Sequence, residues 1–206
     1  LIICIIVELI SLILNYIFMN NFIFWCILYI YGFLMSKWFF QKSKIQPSLP
    51  LALVTHNPVQ MFINLYIIAF TVRKYSVAPF SLTTVLTLFT LYFPALIWEI
   101  ARKIKAPKDE NDYVTYSKLF GHKKATRFIL ILTIVDIITN FILVFNLNKI
   151  SVLVLFILVS WMTYKFIEFM KEPEKYKIVD KVERYTYIQE SMMILTVVLF
   201  ILGVRI

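Results

Sequence analysis

Seven stretches of the chain are almost wholly apolar, at 1–18, 21–40, 57–73, 79–99, 126–147, 149–170 and 187–205. Each is about 17 to 24 residues long, against the roughly 20 that an α-helix needs to cross a bilayer. The pattern predicts an all-α fold, a polytopic transmembrane helical bundle that forms a single domain over 1–206. Pro50 and Pro58 bracket the entry to the third stretch, which contains Asn64, and Leu51 to Thr55 is expected to be a short interfacial helix leading in. His56-Asn57-Pro58 reads as a helix start, with Asn57 capping and proline at the first helical position. The sequence opens at Leu1 inside an apolar run, without an initiator Met or a basic region before it. The expectation is an N-terminally truncated chain in which 1–18 spans and its upstream neighbours are missing.

Charge then orients the pattern. With alternate breaks assigned to alternate faces, seventeen of the 21 Lys and Arg fall on one face, in 37–44, 102–127 and 165–184. The other face receives Arg73, Lys74, Lys149 and Arg205. Positive residues collect on the cytoplasmic side, so the long basic loops 41–56, 100–125 and 171–186 are expected there, and short connections on the far side. A formal charge of +9 on a chain that is 61% hydrophobic is accounted for by these loops and by anionic lipid, which leaves no nucleic-acid partner to invoke. Cys4 and Cys26 lie in apolar runs without metal-type spacing and are expected to be buried thiols.

The densest chemistry is the stretch from Trp98 to Gly121. Glu99, Arg102 and Lys103 stand at i, i+3 and i+4, on one face if the helix continues that far. The plain reading is a salt-bridged helix end with cations where the macrodipole favours them. The other reading draws on Asp109, Glu110 and Asp112 in the same loop, because Mg²⁺ is held by one or two carboxylates together with substrate phosphates. Lys37 closes the second apolar stretch, either as a snorkelling lysine or as a phosphate contact. His56 is either structural or a polar contact near a cavity mouth. Glu8 and Asp136 are ionisable groups inside spanning runs. Asp136, about 15 Å along its helix, is either a hydrogen-bonded helix contact or a deep contact to substrate. The alternating charges of 171–184 read as a solvated face without chemistry.

Glu99-Ile100, the later Asp109-Glu110 and the run Thr115-Tyr116-Ser117-Lys118-Leu119-Phe120-Gly121 together resemble the second acidic motif of the UbiA-type membrane prenyltransferases, and Lys37 resembles the lysine that ends the family's fourth helix. The family has nine spanning helices, and the seven stretches resemble its third to ninth. Arg102 and Lys103 stand where the family commonly has a second Asp, and its first motif, Asn-Asp-x-x-Asp, is absent. The resemblance implies transfer of a prenyl group from an isoprenoid diphosphate to a hydrophobic, aromatic or lipid-like acceptor within the bilayer, with Mg²⁺ as cofactor. It implies Glu99, Asp109 and Glu110 as metal ligands and Lys37, Arg102, Lys103 and Lys118 as diphosphate contacts. His56, Asn57, Asn64, Tyr116 and Asp136 would line the acceptor cavity. The 206 residues alone are expected to be inactive, since the first motif is missing. The competing classes are a membrane transporter or channel, which the scarcity of glycine and of deep charges supports weakly, and a non-catalytic membrane scaffold in which Arg102 and Lys103 stand for lost ligands.

Overall fold

The computed structural model describes residues 2–203, so Arg205 and the end of the seventh stretch lie outside the described residues. Every regular element among them is helical: α1 (Ile2–Ile17), α2 (Phe22–Ser36), α3 (Lys42–Ile45), α4 (Leu49–His56), α5 (Pro58–Tyr75), α6 (Leu82–Ala101), α7 (Tyr116–Phe120), α8 (His122–Val144), α9 (Lys149–Lys171) and α10 (Val179–Ile201). Single 3₁₀ turns cover Trp38–Phe40 and Pro107–Asp109. The seven predicted stretches correspond to α1, α2, α4 with α5, α6, α8, α9 and α10.

Among the described residues, four helical segments are long and apolar enough to cross a membrane: Leu49–Tyr75, Leu82–Ala101, His122–Val144 and Lys149–Lys171. The apolar α1 and α2 have 16 and 15 residues, about 24 and 22 Å at the usual rise, less than the hydrocarbon thickness. The second stretch was expected to stay helical to 40, but α2 stops at Ser36. Trp38, Phe39 and Phe40 then turn through the left-handed region, with φ of 53°, 49° and 58°, where the β-carbon crowds the next carbonyl and a right-handed helix cannot continue. α10 begins earlier than its apolar stretch because Val179 to Thr186 extend it into the polar region. Asn57, expected to cap, instead has helical φ and ψ of −65° and −32° with no side-chain cap bond, so α4 runs into α5. Ser48 supplies the cap upstream, accepting from the Leu51 amide.

The chain divides into two compact units, one running to Leu88 and one from Phe89 on. In the first, polar side chains tie apolar helices together. The Tyr66 hydroxyl donates to Asn15 Oδ1 at 2.7 Å, Asn21 Nδ2 donates to the Tyr66 carbonyl at 3.0 Å, and Trp25 Nε1 donates to Ser11 Oγ at 2.9 Å. Between helices whose outer surfaces are largely apolar, such bonds and close packing supply the cohesion that water exclusion supplies elsewhere. Cys4, expected to be buried, is exposed on α1, whose outward face is apolar except for Glu8; Cys26 is half-buried, and both thiols are free.

The second unit shows an inverted polarity most clearly in α8. Its buried stripe contains Thr126, Thr133, Asp136, Thr139 and Asn140, while Phe128, Ile131, Ile134, Val135, Ile138 and Ile142 are exposed. A helix with threonine and asparagine inside and isoleucine outside is stable where the surrounding solvent is lipid. Thr90 Oγ1 donates to Thr139 Oγ1 at 3.0 Å, joining α6 to α8, and Thr196 Oγ1 donates to Ser151 Oγ at 2.7 Å, joining α10 to α9. Asn148 caps α9 by accepting from the Ser151 amide. Ile97, Ile100, Ile129, Met162, Phe166 and Val182 fill the apolar core of this unit.

Candidate functional site

The C-terminal end of α6 and the loop that follows form one small folded structure. The helix ends at Ala101, and the Arg102 and Lys103 amides still donate back, to Trp98 and Ile100. That continuation puts three side chains on one face: Arg102 Nε donates to Glu99 Oε2 at 2.5 Å, and Lys103 Nζ stands 2.7 Å from Glu99 Oε1. Arg102 also lies over the Trp98 ring, 5.3 Å from its centroid, a contact that orients a planar guanidinium.

The loop returns to this helix end through backbone bonds. The Tyr116 amide donates to the Lys103 carbonyl at 2.8 Å, and the Lys105 amide donates to Ser117 Oγ at 2.8 Å. Thr115 caps α7 by accepting from the Lys118 amide at 3.1 Å. Each of these hydroxyls accepts from an amide and turns its proton to the same carboxylate: Thr115 and Ser117 both donate to Glu110. Glu110 is therefore the pin of the loop. Lys118 Nζ donates to the Asn111 carbonyl at 3.0 Å, and Lys108 bonds through its amide and its ammonium to Glu174. The stretch 171–184, read as a solvated face, thus supplies a clamp. Gly121, with φ of 81°, makes the turn into α8, a conformation that costs other residues strain.

Tyr116 is buried beneath this structure, and its hydroxyl has no hydrogen-bond partner among the described residues. Its pKa is pushed up to about 12, first by burial and then by the negative charge of Glu99, with Arg102 acting the other way. The phenol is therefore a neutral donor across the physiological range, close to the Glu99 pair.

The carboxylates proposed for Mg²⁺ are not gathered here. Both Glu99 oxygens face cations, Glu110 is held by two hydroxyls, and Asp109 is exposed on its 3₁₀ turn. Among the described residues, no three His, Cys, Asp or Glu side chains converge as a metal site. As arranged, Glu99 and Glu110 are engaged by neighbouring donors, while Asp109 faces outward on its turn.

The remaining predicted residues fall in two places. In the first unit, Lys37 is exposed after α2. His56 Nδ1 meets Thr55 Oγ1 at 2.9 Å, with its ring 4.8 Å from that of Trp38. Asn57 lies at the junction of α4 and α5, and Asn64 is buried, accepting from Gln60 Nε2 at 3.2 Å. Glu8 is exposed on α1 beside Tyr29. In the second unit, Asp136 is 0% exposed, and its Oδ1 accepts from Asn140 Nδ2 at 2.9 Å, one turn on in the same helix.

Sequence reading missed Tyr185 and Gln189 of α10, both buried against that part of α8. The available signal was their spacing: Val182, Tyr185, Thr186 and Gln189 mark one face of a helix. Comparisons with protein-family models, curated proteins and solved structures find no match to this chain.

Proposed function

We propose that the chain belongs to a membrane enzyme of the prenyl-transferring type, and that the end of α6 with its return loop receives the diphosphate of an isoprenoid substrate on the cytoplasmic side. The observation that supports this reading is the helix-end pair of cations. Glu99 holds Arg102 and Lys103 side by side at the end of an apolar helix, leaving a net charge of +1 on the three groups. A polyanion with a long apolar tail suits that position, because the headgroup meets two oriented donors while the tail stays in lipid.

In the reaction, the bond from the allylic carbon to the diphosphate oxygen breaks, and the diphosphate leaves with the electron pair. A carbon of the acceptor bonds to the allylic carbon and then gives up its proton to the departed diphosphate. Arg102 and Lys103 would stabilise the charge growing on the departing oxygen, a gain that is larger in the transition state than in the bound substrate. Glu99 is a positioning residue in this scheme. Tyr116, neutral and without a partner, can donate to the leaving group or to the acceptor. Lys118 Nζ donates to the Asn111 carbonyl, and the scheme assigns it no step.

The test is prenyl transfer and diphosphate binding by the full-length protein in proteoliposomes, with and without Mg²⁺. Arg102→Ala and Lys103→Ala are each expected to weaken diphosphate binding by about tenfold or more, the loss of one charge-assisted contact worth roughly 1.5–3 kcal/mol. Glu99→Gln is expected to raise KM and lower kcat. Unchanged binding in both cation variants overturns the proposal. A transporter is favoured by a different observation, the buried polar core around Asp136.

A further inference from the structure

Between α6 and α10 the second unit has a small cavity, near the end of α6 that leads into the polar loop. Pro94, Ala95 and Trp98 line it from α6 and Thr186, Tyr187 and Glu190 from α10, and its volume is about 210 Å³. Trp98 stands one turn before the end of its helix at Ala101, and Glu190 is the fourth residue of the apolar stretch that opens at Tyr187. The cavity therefore lies where spanning helices meet polar chain, the level at which Trp and Tyr side chains settle in a bilayer. Trp98, Tyr187 and Glu190 are exposed there, while Thr186 is buried.

No ion pair among the described residues includes Glu190. Arg102, which lies over the Trp98 ring, pairs with Glu99 instead. A carboxylate at the edge of an apolar stretch without a basic neighbour calls for a positive partner from outside the chain. The rest of the lining narrows what that partner is. The Thr186 hydroxyl spends its proton on the Glu183 carbonyl at 2.9 Å, which leaves its oxygen to accept. Acceptor oxygens beside two aromatic rings suit a cation that itself donates hydrogen bonds, as a primary ammonium does. A quaternary ammonium has no N–H to give, and a bare divalent metal ion draws on more oxygens than one carboxylate and one hydroxyl.

We infer that this cavity holds the ammonium end of a phospholipid headgroup, the primary amine of a phosphatidylethanolamine. The cavity is smaller than the roughly 300–1,000 Å³ of sites that enclose a whole drug-sized ligand, so it takes a headgroup and leaves the tails outside. A surface for the tails lies one turn deeper. Leu91 of α6 and Ile194 of α10 stand four positions from Ala95 and Glu190, on the same helix faces, and both are exposed. Polar and apolar surface thus follow each other in the order in which a lipid presents head and tail, an order that a soluble amine would not use. The site draws on none of the cations of the α6 loop and stands whether or not that loop binds a diphosphate.

The experiment is thermal unfolding of the full-length protein at neutral pH in mixed micelles of fixed total lipid, with dioleoyl phosphatidylethanolamine replacing dioleoyl phosphatidylcholine stepwise. The expected result is a saturating rise in Tm of about 2–4 °C, as ligand linkage predicts. Free ethanolamine at the same amine concentration, added to phosphatidylcholine micelles, produces none. Glu190→Gln keeps the shape, removes the charge and abolishes the rise. Tyr187→Leu removes one ring and raises the half-saturating fraction of phosphatidylethanolamine about threefold, the equivalent of one aromatic contact to a cation. It serves if Glu190→Gln does not fold. No change in Tm on lipid replacement, an equal rise with free ethanolamine, an undiminished rise in Glu190→Gln, or an unshifted half-saturation in Tyr187→Leu overturns the inference.

Discussion

Tyr116 combines three properties that are hard to reconcile with packing alone: burial, a hydroxyl without a partner, and the nearby charge of Glu99. Its folded pKa of about 12 exceeds the roughly 10 of an unfolded chain. Between those values the folded protein keeps a proton that the unfolded chain releases. Its contribution is therefore complete below pH 10 and is lost as pH rises toward 12. Tyr116→Phe retains the ring and removes the unmatched hydroxyl, so stability at pH 7 is expected to hold or to rise by up to about 1 kcal/mol. The variant should also lose less stability than the parent between pH 10 and 12. Thermal unfolding of both proteins across that range checks this; an equal decline, or a loss at pH 7 of more than about 2 kcal/mol, shows that the hydroxyl has a partner. The pairing of Glu99 with Arg102 and Lys103 was legible because helical spacing alone brings those positions together. The position of Tyr116 was not, because it depends on a long-range bond from its amide to Lys103.

Among the elements, the loop from Arg102 to Gly121 has one side chain, Glu110, that joins two of its cap hydroxyls. The family resemblance implies Glu110 as a metal ligand, and in the fold it receives the protons of Thr115 and Ser117, whose oxygens hold the Lys118 and Lys105 amides. Carboxylate bonds of this kind contribute roughly 1.5–3 kcal/mol each. Glu110→Ala should therefore loosen the loop without unfolding the bundle: exchange of the Lys105 and Lys118 amides is expected to accelerate about tenfold or more, while the α8 amides keep their protection. Exchange measured by mass spectrometry in detergent checks this, and unchanged rates at both amides mean that Glu110 is not the pin. Helix existence was readable here because apolar run length is a strong signal. Helix ends were less so. Asn57 precedes a proline and looked like a boundary, yet it takes helical dihedrals, since proline at the start of a turn lacks only an amide that could go unpaired anyway. The left-handed turn at Trp38, Phe39 and Phe40 uses residues that carry no turn signature at all.

At the scale of the whole molecule, the all-helical architecture was legible because only helices satisfy their own backbone in lipid, which makes a long apolar run nearly unambiguous. The division at Leu88 and Phe89 was not, because it falls inside α6 with no polar linker to announce it. The polar core of the second unit was half legible: Asp136 stood out in its apolar run, whereas Tyr185 and Gln189 stood among ordinary charged neighbours. Sidedness rests on the distribution of basic residues, and it makes a prediction separable from any enzymology. Each Lys or Arg near a helix end biases that end toward the cytoplasm. Lys44, Lys108 and Lys175 come from the three long loops, and Lys74 from a short connection. Single-cysteine variants at these positions, in a chain with Cys4 and Cys26 replaced by Ala, can be labelled in intact cells with an impermeant maleimide. Lys74→Cys is expected to react from outside. Lys44→Cys, Lys108→Cys and Lys175→Cys should react only after the membrane is opened. Because the three long loops must share a side only if an even number of crossings separates them, one loop that labels from outside while the others do not removes a crossing from the seven. That result would also take the α6 loop out of reach of a cytoplasmic diphosphate if Lys108 were the exception.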